Sequence, residues 1–181
     1  MRRVAAVLAL VVVASGTFVY LQHAEPAWYT RLWYPLHYSS IVRAHAKNYD
    51  LDPSFLAAVI EQESKFRVDA KSSAGAIGLM QLQPATAKGI AIRTGGSKFV
   101  LSDLYDPELN IRYGSWYLHH LMVKYGDERL ALAAYNAGQQ NVDRWRAAGE
   151  GVQFPETRAY IDKVERLKKI YRRAYASELG Y

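Results

Sequence analysis

The chain has 181 residues, half of them hydrophobic and 22% charged, which suits one packed domain with a short appendage and excludes a disordered or low-complexity chain. It contains no cysteine, so disulfide frameworks, thiolate zinc sites, iron–sulfur clusters and cysteine nucleophiles are ruled out. Lys and Arg number 23 against 17 Asp and Glu, and the formal charge of +6 favours anionic surroundings (wall polymers, lipid headgroups or nucleic acid) without choosing among them.

Arg2 and Arg3 precede an uncharged run from Val4 to Leu21. As a helix this run would span roughly 27 Å at ~1.5 Å per residue, just enough for a bilayer core. A cleaved signal peptide would have a shorter apolar region, about 7–15 residues, and a small-residue cleavage site. Here Ala14-Ser15-Gly16 is followed by more apolar residues, Phe18 to Leu21, and makes a poor one. The expectation is an uncleaved membrane helix over residues 1–21, its arginines on the cytoplasmic side and residues 22–181 outside. A connecting segment, 22–37, carries Trp28, Tyr29, Trp33 and Tyr34, suited either to the headgroup layer or to packing between helices.

Residues 38–181 read as one all-α domain. Ser39 or Ser40 can cap a helix to about Tyr49, and Asp52-Pro53 gives an N-cap followed by proline at the first helical position, opening a helix to about Phe66. A Ser-, Ala- and Gly-rich stretch then allows a small β-ribbon or an extended loop near residues 69–82. Pro84 opens a short helix ended by Gly89 or Gly95-Gly96. Asp106-Pro107 repeats the capping signal for a helix to Gly126, Asp127 to Ala137 makes another, and Pro155 starts the last long one. On that last helix Ile161, Val164, Leu167 and Tyr171 share a face, with Lys163, Arg166, Lys169, Arg172 and Arg173 elsewhere as a solvated or polyanion-docking surface.

On a helical wheel at ~100° per residue, Glu63 falls on the same stripe as Leu56, Val59 and Ile60, whereas Glu61 points away and reads as a solvated glutamate. A carboxyl on a core-facing stripe is costly when ionised, so its pKa rises, and a glutamate protonated near neutral pH is what a general acid requires. The same position is also compatible with a buried structural glutamate satisfied by a partner.

The surrounding motifs weigh on that choice. Glu63-Ser64 is followed by Ser73-Ala74-Gly75-Ala76-Ile77-Gly78-Leu79-Met80-Gln81, then by Ala134-Tyr135-Asn136-Ala137-Gly138, then by Pro155-Glu156-Thr157-Arg158-Ala159-Tyr160. In order and spacing these resemble the catalytic domain of the soluble-lytic-transglycosylase type, a lysozyme-like family that cleaves peptidoglycan, over roughly Tyr38 to Tyr171. The resemblance implies that Glu63 is the sole catalytic acid/base. It implies that Ser72, Gly78, Met80 and Gln81 line the glycan cleft, that Tyr135 and Asn136 lie near the acid, with the Tyr135 hydroxyl holding its carboxyl, and that Glu156 and Tyr160 flank the cleft from the last helix. Gln83 stands where family members often carry a second methionine, which bears on the saccharide subsite and not on the chemistry.

By the same resemblance the reaction is a lytic transglycosylation between N-acetylmuramic acid and N-acetylglucosamine at the cell envelope, with no metal or organic cofactor. Goose-type hydrolysis and a non-catalytic, anchored wall-binding module are the alternatives. His119-His120 offers no metal site, since adjacent helical residues diverge and H-E-x-x-H is absent. An exported location makes nucleic acid a remote partner.

Overall fold

The computed structural model describes residues 2–24 and 26–181; Met1 and Glu25 lie outside it, as do the side chains of Arg2, Ala5, Gln22 and His23. The chain divides into two compact units, one ending at Pro35 and the other Leu36–Tyr181. The first holds α1 (Arg2–Ala24) and α2 (Ala27–Trp33). Val4, Val7, Leu8, Leu10, Phe18 and Tyr20 are exposed on α1, and Trp28, Leu32 and Trp33 on α2. Among the described residues no helix is long and apolar enough to cross a membrane.

The second unit contains α3 (Ser39–Asn48), α4 (Pro53–Ser64), α5 (Pro84–Arg93), a 3-10 turn (Leu101–Tyr105), α6 (Pro107–Tyr125), α7 (Glu128–Ala137), α8 (Gln139–Ala147), α9 (Pro155–Ala174) and α10 (Ala176–Leu179). The expected all-α class is what forms. In place of a β-ribbon near residues 69–82 there are two isolated antiparallel bridges, Lys71 to Ile77 and Ile77 to Leu82.

The Asp-Pro starts work through their carboxylates. Asp52 Oδ1 accepts from the Ser54 and Phe55 amides at 2.8 and 3.3 Å, and Asp106 Oδ1 accepts from Leu109 at 2.8 Å, satisfying donors that a first turn leaves unpaired. Asp127 caps α7 in the same way through Leu130. The α3 start differs from expectation: Ser39 is already helical, and the residue before it is Tyr38, in left-handed backbone with no side-chain cap. α5 runs through Gly89 to Arg93. α8 begins directly after Gly138 and buries only Val142 and Trp145, too sparse a stripe to stand out in the sequence.

α4 is the central helix. Phe55 through Ile60 are all essentially inaccessible, so it is covered on every side and has no solvated face. This corrects the reading of Glu61 as a surface glutamate. It is 7% exposed, accepts a hydrogen bond from the Tyr171 hydroxyl at 3.2 Å, and burial raises its carboxyl above the ordinary value. The wheel separates core from solvent only where one side faces water, and here α9 packs along α4 where solvent was expected.

α9 buries Ile161, Val164, Leu167 and Tyr171 as expected. Its basic surface is laced with ion pairs: Arg172 with Asp52, and Lys168 with Glu128 at 2.7 Å. Arg129 of α7 meets Asp162 and Glu165. Exposed pairs of this kind contribute little to stability, and Arg172, although its side chain is 55% exposed, is engaged with Asp52.

Candidate active site

α4 stops because Lys65 and Phe66 both take left-handed backbone, at φ 53° and 57°. Its last turn therefore delivers Glu63 out of the core to a half-buried position. The Tyr160 hydroxyl, from α9, donates to Glu63 Oε1 at 2.6 Å. Burial pushes the carboxyl up to about 7, and the Tyr160 hydrogen bond, which favours the charged form, offsets only part of that rise. The Tyr160 and Tyr135 hydroxyls are themselves held well above their usual pKa, first by burial and then by the Glu63 charge, so both stay protonated donors. The result is one acid, roughly half protonated at neutral pH, beside two neutral phenols.

Replacing Tyr160 with phenylalanine removes the contact that holds the Glu63 carboxyl down. The Glu63 titration midpoint, read from its side-chain 13C shift against pH, is expected to move above about 7. A midpoint that stays or falls would show that the hydroxyl is not setting it.

The second wall is the loop between α4 and α5, and Asn110 of α6 builds it. Fully buried, Asn110 donates through Nδ2 to the Ile77 and Leu104 carbonyls at 3.0 and 2.7 Å, and its Oδ1 accepts from the Met80 amide at 2.8 Å. Gly78 has φ 78°, and a Cβ there would collide with Asn110 and the Leu104 carbonyl. Glycine is required here by close packing against protein. Tyr135 donates to the Met80 carbonyl at 2.7 Å and so ties α7 to the same loop.

These contacts redistribute the expected roles. Tyr160, not Tyr135, holds the Glu63 carboxyl; Tyr135 anchors the loop and approaches Glu63 without bonding its carboxyl. Met80 is a correction: its side chain is wholly inaccessible and packs beneath Gly114, so it is core, and the loop uses its backbone. Gln81, at φ 47°, spends its side-chain amide nitrogen on the Ala70 and Gly78 carbonyls at 3.1 and 2.9 Å. Ser72 Oγ accepts from the Ala76 amide at 3.0 Å, closing the loop upon itself. Ser64 is buried, its hydroxyl donating to the Ile60 carbonyl. Asn136 is exposed and accepts from the buried Thr157 hydroxyl at 2.8 Å, joining α7 to α9, and Glu156 lies exposed in the first turn of α9.

Glu63, Tyr160, Tyr135 and the Met80 backbone thus converge, while Ser72, Gln81 and Asn136 brace the surroundings. Sequence reasoning missed Asn110, Thr157 and Tyr117, whose ring lies 5.6 Å from that of Tyr135. The signal for Asn110 was of the same kind as for Glu63: a polar residue beside Ile111 and three before Tyr113, on a helix face otherwise apolar. Among the described residues no group of three or more His, Asp or Glu could hold a metal ion.

An all-α domain with a central buried helix, ending in one desolvated glutamate held by a tyrosine, defines the lysozyme-like class of folds. Within that class the chain belongs to the transglycosylase SLT domain family, whose model matches residues 40–154. It is similar to the soluble lytic murein transglycosylase of Salmonella typhimurium, 33% identical over 156 residues covering 77% of this chain and 23% of that protein. It is also similar to the membrane-bound lytic murein transglycosylase F of Serratia proteamaculans, 33% identical over 139 residues covering 73% of this chain and 26% of that protein. Among solved structures it matches the lytic transglycosylase Slt of Pseudomonas aeruginosa, determined as an inactive glutamate-to-glutamine mutant. The TM-score is 0.75 and the identity 32%, over 87% of this chain and 27% of that one. The chain spans about a quarter of the length of these relatives.

Proposed function

We propose that this chain is a peptidoglycan lytic transglycosylase of the cell envelope, with Glu63 as its single acid/base. The observation that carries the reading is the Glu63–Tyr160 pair, a desolvated carboxyl poised near neutral pH on the E-S motif of the family. Glycoside cleavage ordinarily uses two carboxyl groups. The second buried acid on α4, Glu61, is bonded to Tyr171, which suits a reaction in which the substrate supplies the missing group.

In that reaction protonated Glu63 donates to the oxygen linking N-acetylmuramic acid to N-acetylglucosamine. The muramic acetamido oxygen closes on C1 as the bond breaks, giving an oxazolinium-like intermediate. Ionised Glu63 then takes the proton of the same sugar's C6 hydroxyl as that oxygen attacks C1, which reopens the ring and leaves a 1,6-anhydromuramoyl end. The acid is protonated again and no water is consumed. Gly78 and Gln81 form the cleft wall beside the acid, and Ser72 and Met80 support that wall from within the loop. Tyr135, Asn136, Glu156 and Tyr160 complete it from α7 and α9. Digestion of purified peptidoglycan with mass-spectrometric identification of the ends tests this: anhydro ends are expected. Reducing ends would assign a goose-type hydrolase, and no cleavage a wall-binding module.

The same reading places the protein at the membrane through residues 4–21. The supporting observations are the uncharged run in the sequence, the 23-residue helix α1 that contains it and its exposed valine and leucine side chains. The full-length product is expected to stay in the membrane fraction through high-salt and alkaline washes. Recovery of a shortened, soluble protein outside the cytoplasm would make the segment a signal peptide.

A further inference from the structure

α2 turns an aromatic face to solvent. At ~100° per residue, Trp28, Tyr29, Leu32 and Trp33 fall within an arc of about 140°, with Thr30 and Arg31 on the opposite side. Trp28, Leu32 and Trp33 are 59%, 71% and 64% exposed, whereas Thr30 is buried. The rings form a row, since Tyr29 meets Trp28 at 5.9 Å and Trp33 at 6.2 Å between centroids, both edge to face. The sequence allows these side chains two uses, the headgroup layer or packing between helices. Exposure on this scale removes the second for Trp28, Leu32 and Trp33.

Clustered exposed apolar side chains mark a surface of contact with protein or membrane. Three observations favour lipid. Seven residues at ~1.5 Å each make about 10 Å of helix, too short to cross a ~30 Å core, so α2 can meet a bilayer only at its surface. The side chains are of the interfacial kind, because Trp and Tyr join an apolar ring to a polar tip and collect at the headgroup level. The helix also follows closely on the uncharged run 4–21, whose valines and leucines are exposed along α1. We propose that the Trp28–Leu32–Trp33 face of α2 lies in the headgroup layer of a lipid bilayer, as an interfacial contact additional to that run. This rests on the reading of residues 4–21 as a membrane segment, and the test separates the two.

The chain has no cysteine, so a single introduced cysteine carries a spin label at one defined place. Leu32→Cys, Val12→Cys and Lys98→Cys are each made in the full-length protein and bound to vesicles of phosphatidylethanolamine and phosphatidylglycerol. Depth is read as the ratio of collisions with oxygen, which concentrates in lipid, to collisions with a water-soluble nickel chelate. The Leu32→Cys label is expected about 5–10 Å inside the headgroup boundary, with the Val12→Cys label deeper and the Lys98→Cys label in water. Replacing Trp28 and Trp33 by serine should move the first label into water without changing the second, and should leave thermal melting unchanged. A Leu32→Cys label in water beside a deep Val12→Cys label would overturn the proposal and leave the anchor standing. A Leu32→Cys label hidden from both reagents would assign the face to packing against protein, and one unmoved by the serine substitutions would show that the tryptophans do not seat it; each overturns the proposal. Labels in water at both positions would overturn the membrane reading and the proposal together.

Discussion

Glu63→Gln is expected to cut release of anhydro ends from peptidoglycan by at least ~10²–10⁴-fold, the usual range for loss of a general acid, with more expected here because in the proposed mechanism one group serves both proton transfers. Glutamine keeps the length of the side chain and an oxygen that can still accept from Tyr160, so the cleft retains its shape and binding of glycan should persist. Glu61→Gln, on the same helix, is the matched control: that side chain faces Tyr171 and should leave the rate within a few-fold of wild type. In the proposed mechanism only protonated Glu63 begins the reaction. The rate should therefore fall about tenfold per pH unit above about 7. Substantial anhydro-product formation by folded Glu63→Gln would falsify the assignment.

The same substitution should stabilise the protein, and only in a defined pH range. The Glu63 carboxyl titrates near 7 in the folded chain and near its ordinary 4.5 when unfolded. Below 4.5 both states are protonated, and the variant gains nothing. Between 4.5 and 7 the unfolded chain ionises while the folded one resists, so wild-type stability drains away as pH rises. Above 7 the deficit is complete, at about 3 kcal/mol for a shift of this size. Glu63→Gln escapes it, so at pH 8 its melting temperature should exceed that of wild type by about 6–12 °C, with no difference at pH 4. A stabilisation independent of pH would mean that the carboxyl is not desolvated in the wild type.

Glu63 was legible in the sequence because a charged residue in register with Leu56, Val59 and Ile60 violates the apolar stripe, and because the E-S pair resembles a family motif. Glu61 was misread for an equally physical reason. Periodicity reports a solvated face only where one exists, and α4 has none once α9 covers it. The Asp-Pro starts could be read because capping is local, settled within three residues by Asp52 and Asp106. Asn110 could not be assigned, because its partners Ile77 and Met80 are about thirty residues distant and only the closed chain brings them together. The exchange of roles between Tyr135 and Tyr160 has the same origin. Both belong to motifs near the acid, and the choice of which hydroxyl reaches Glu63 depends on how α7 and α9 sit against the end of α4.

Asn110→Leu is expected to cost on the order of 3–5 kcal/mol, a large part of the stability of a domain this size. The side chain closes three buried hydrogen bonds at once. Leucine fills a similar volume but leaves the Met80 amide without its acceptor and withdraws donors from the Ile77 and Leu104 carbonyls. The Leu82 amide also donates to Ile77, so the full sum of three lost bonds is not expected. The loop from Gly78 to Gln81 should loosen, and with it the Tyr135 contact to the Met80 carbonyl, so activity should fall even at temperatures where the variant remains folded. Asn110→Asp separates hydrogen bonding from packing, because it is nearly isosteric. It keeps the acceptor for Met80 but turns an oxygen toward two carbonyls that need a donor. The introduced carboxyl would supply one donor once protonated, so this variant should be strongly destabilised at pH 7 and regain part of its stability, measured against wild type at the same pH, as the pH is lowered toward 5. If Asn110→Asp melts like wild type at pH 7, the three bonds do not hold the loop, and the wall of the cleft must be set by the apolar packing of Leu79, Met80 and Leu82 alone.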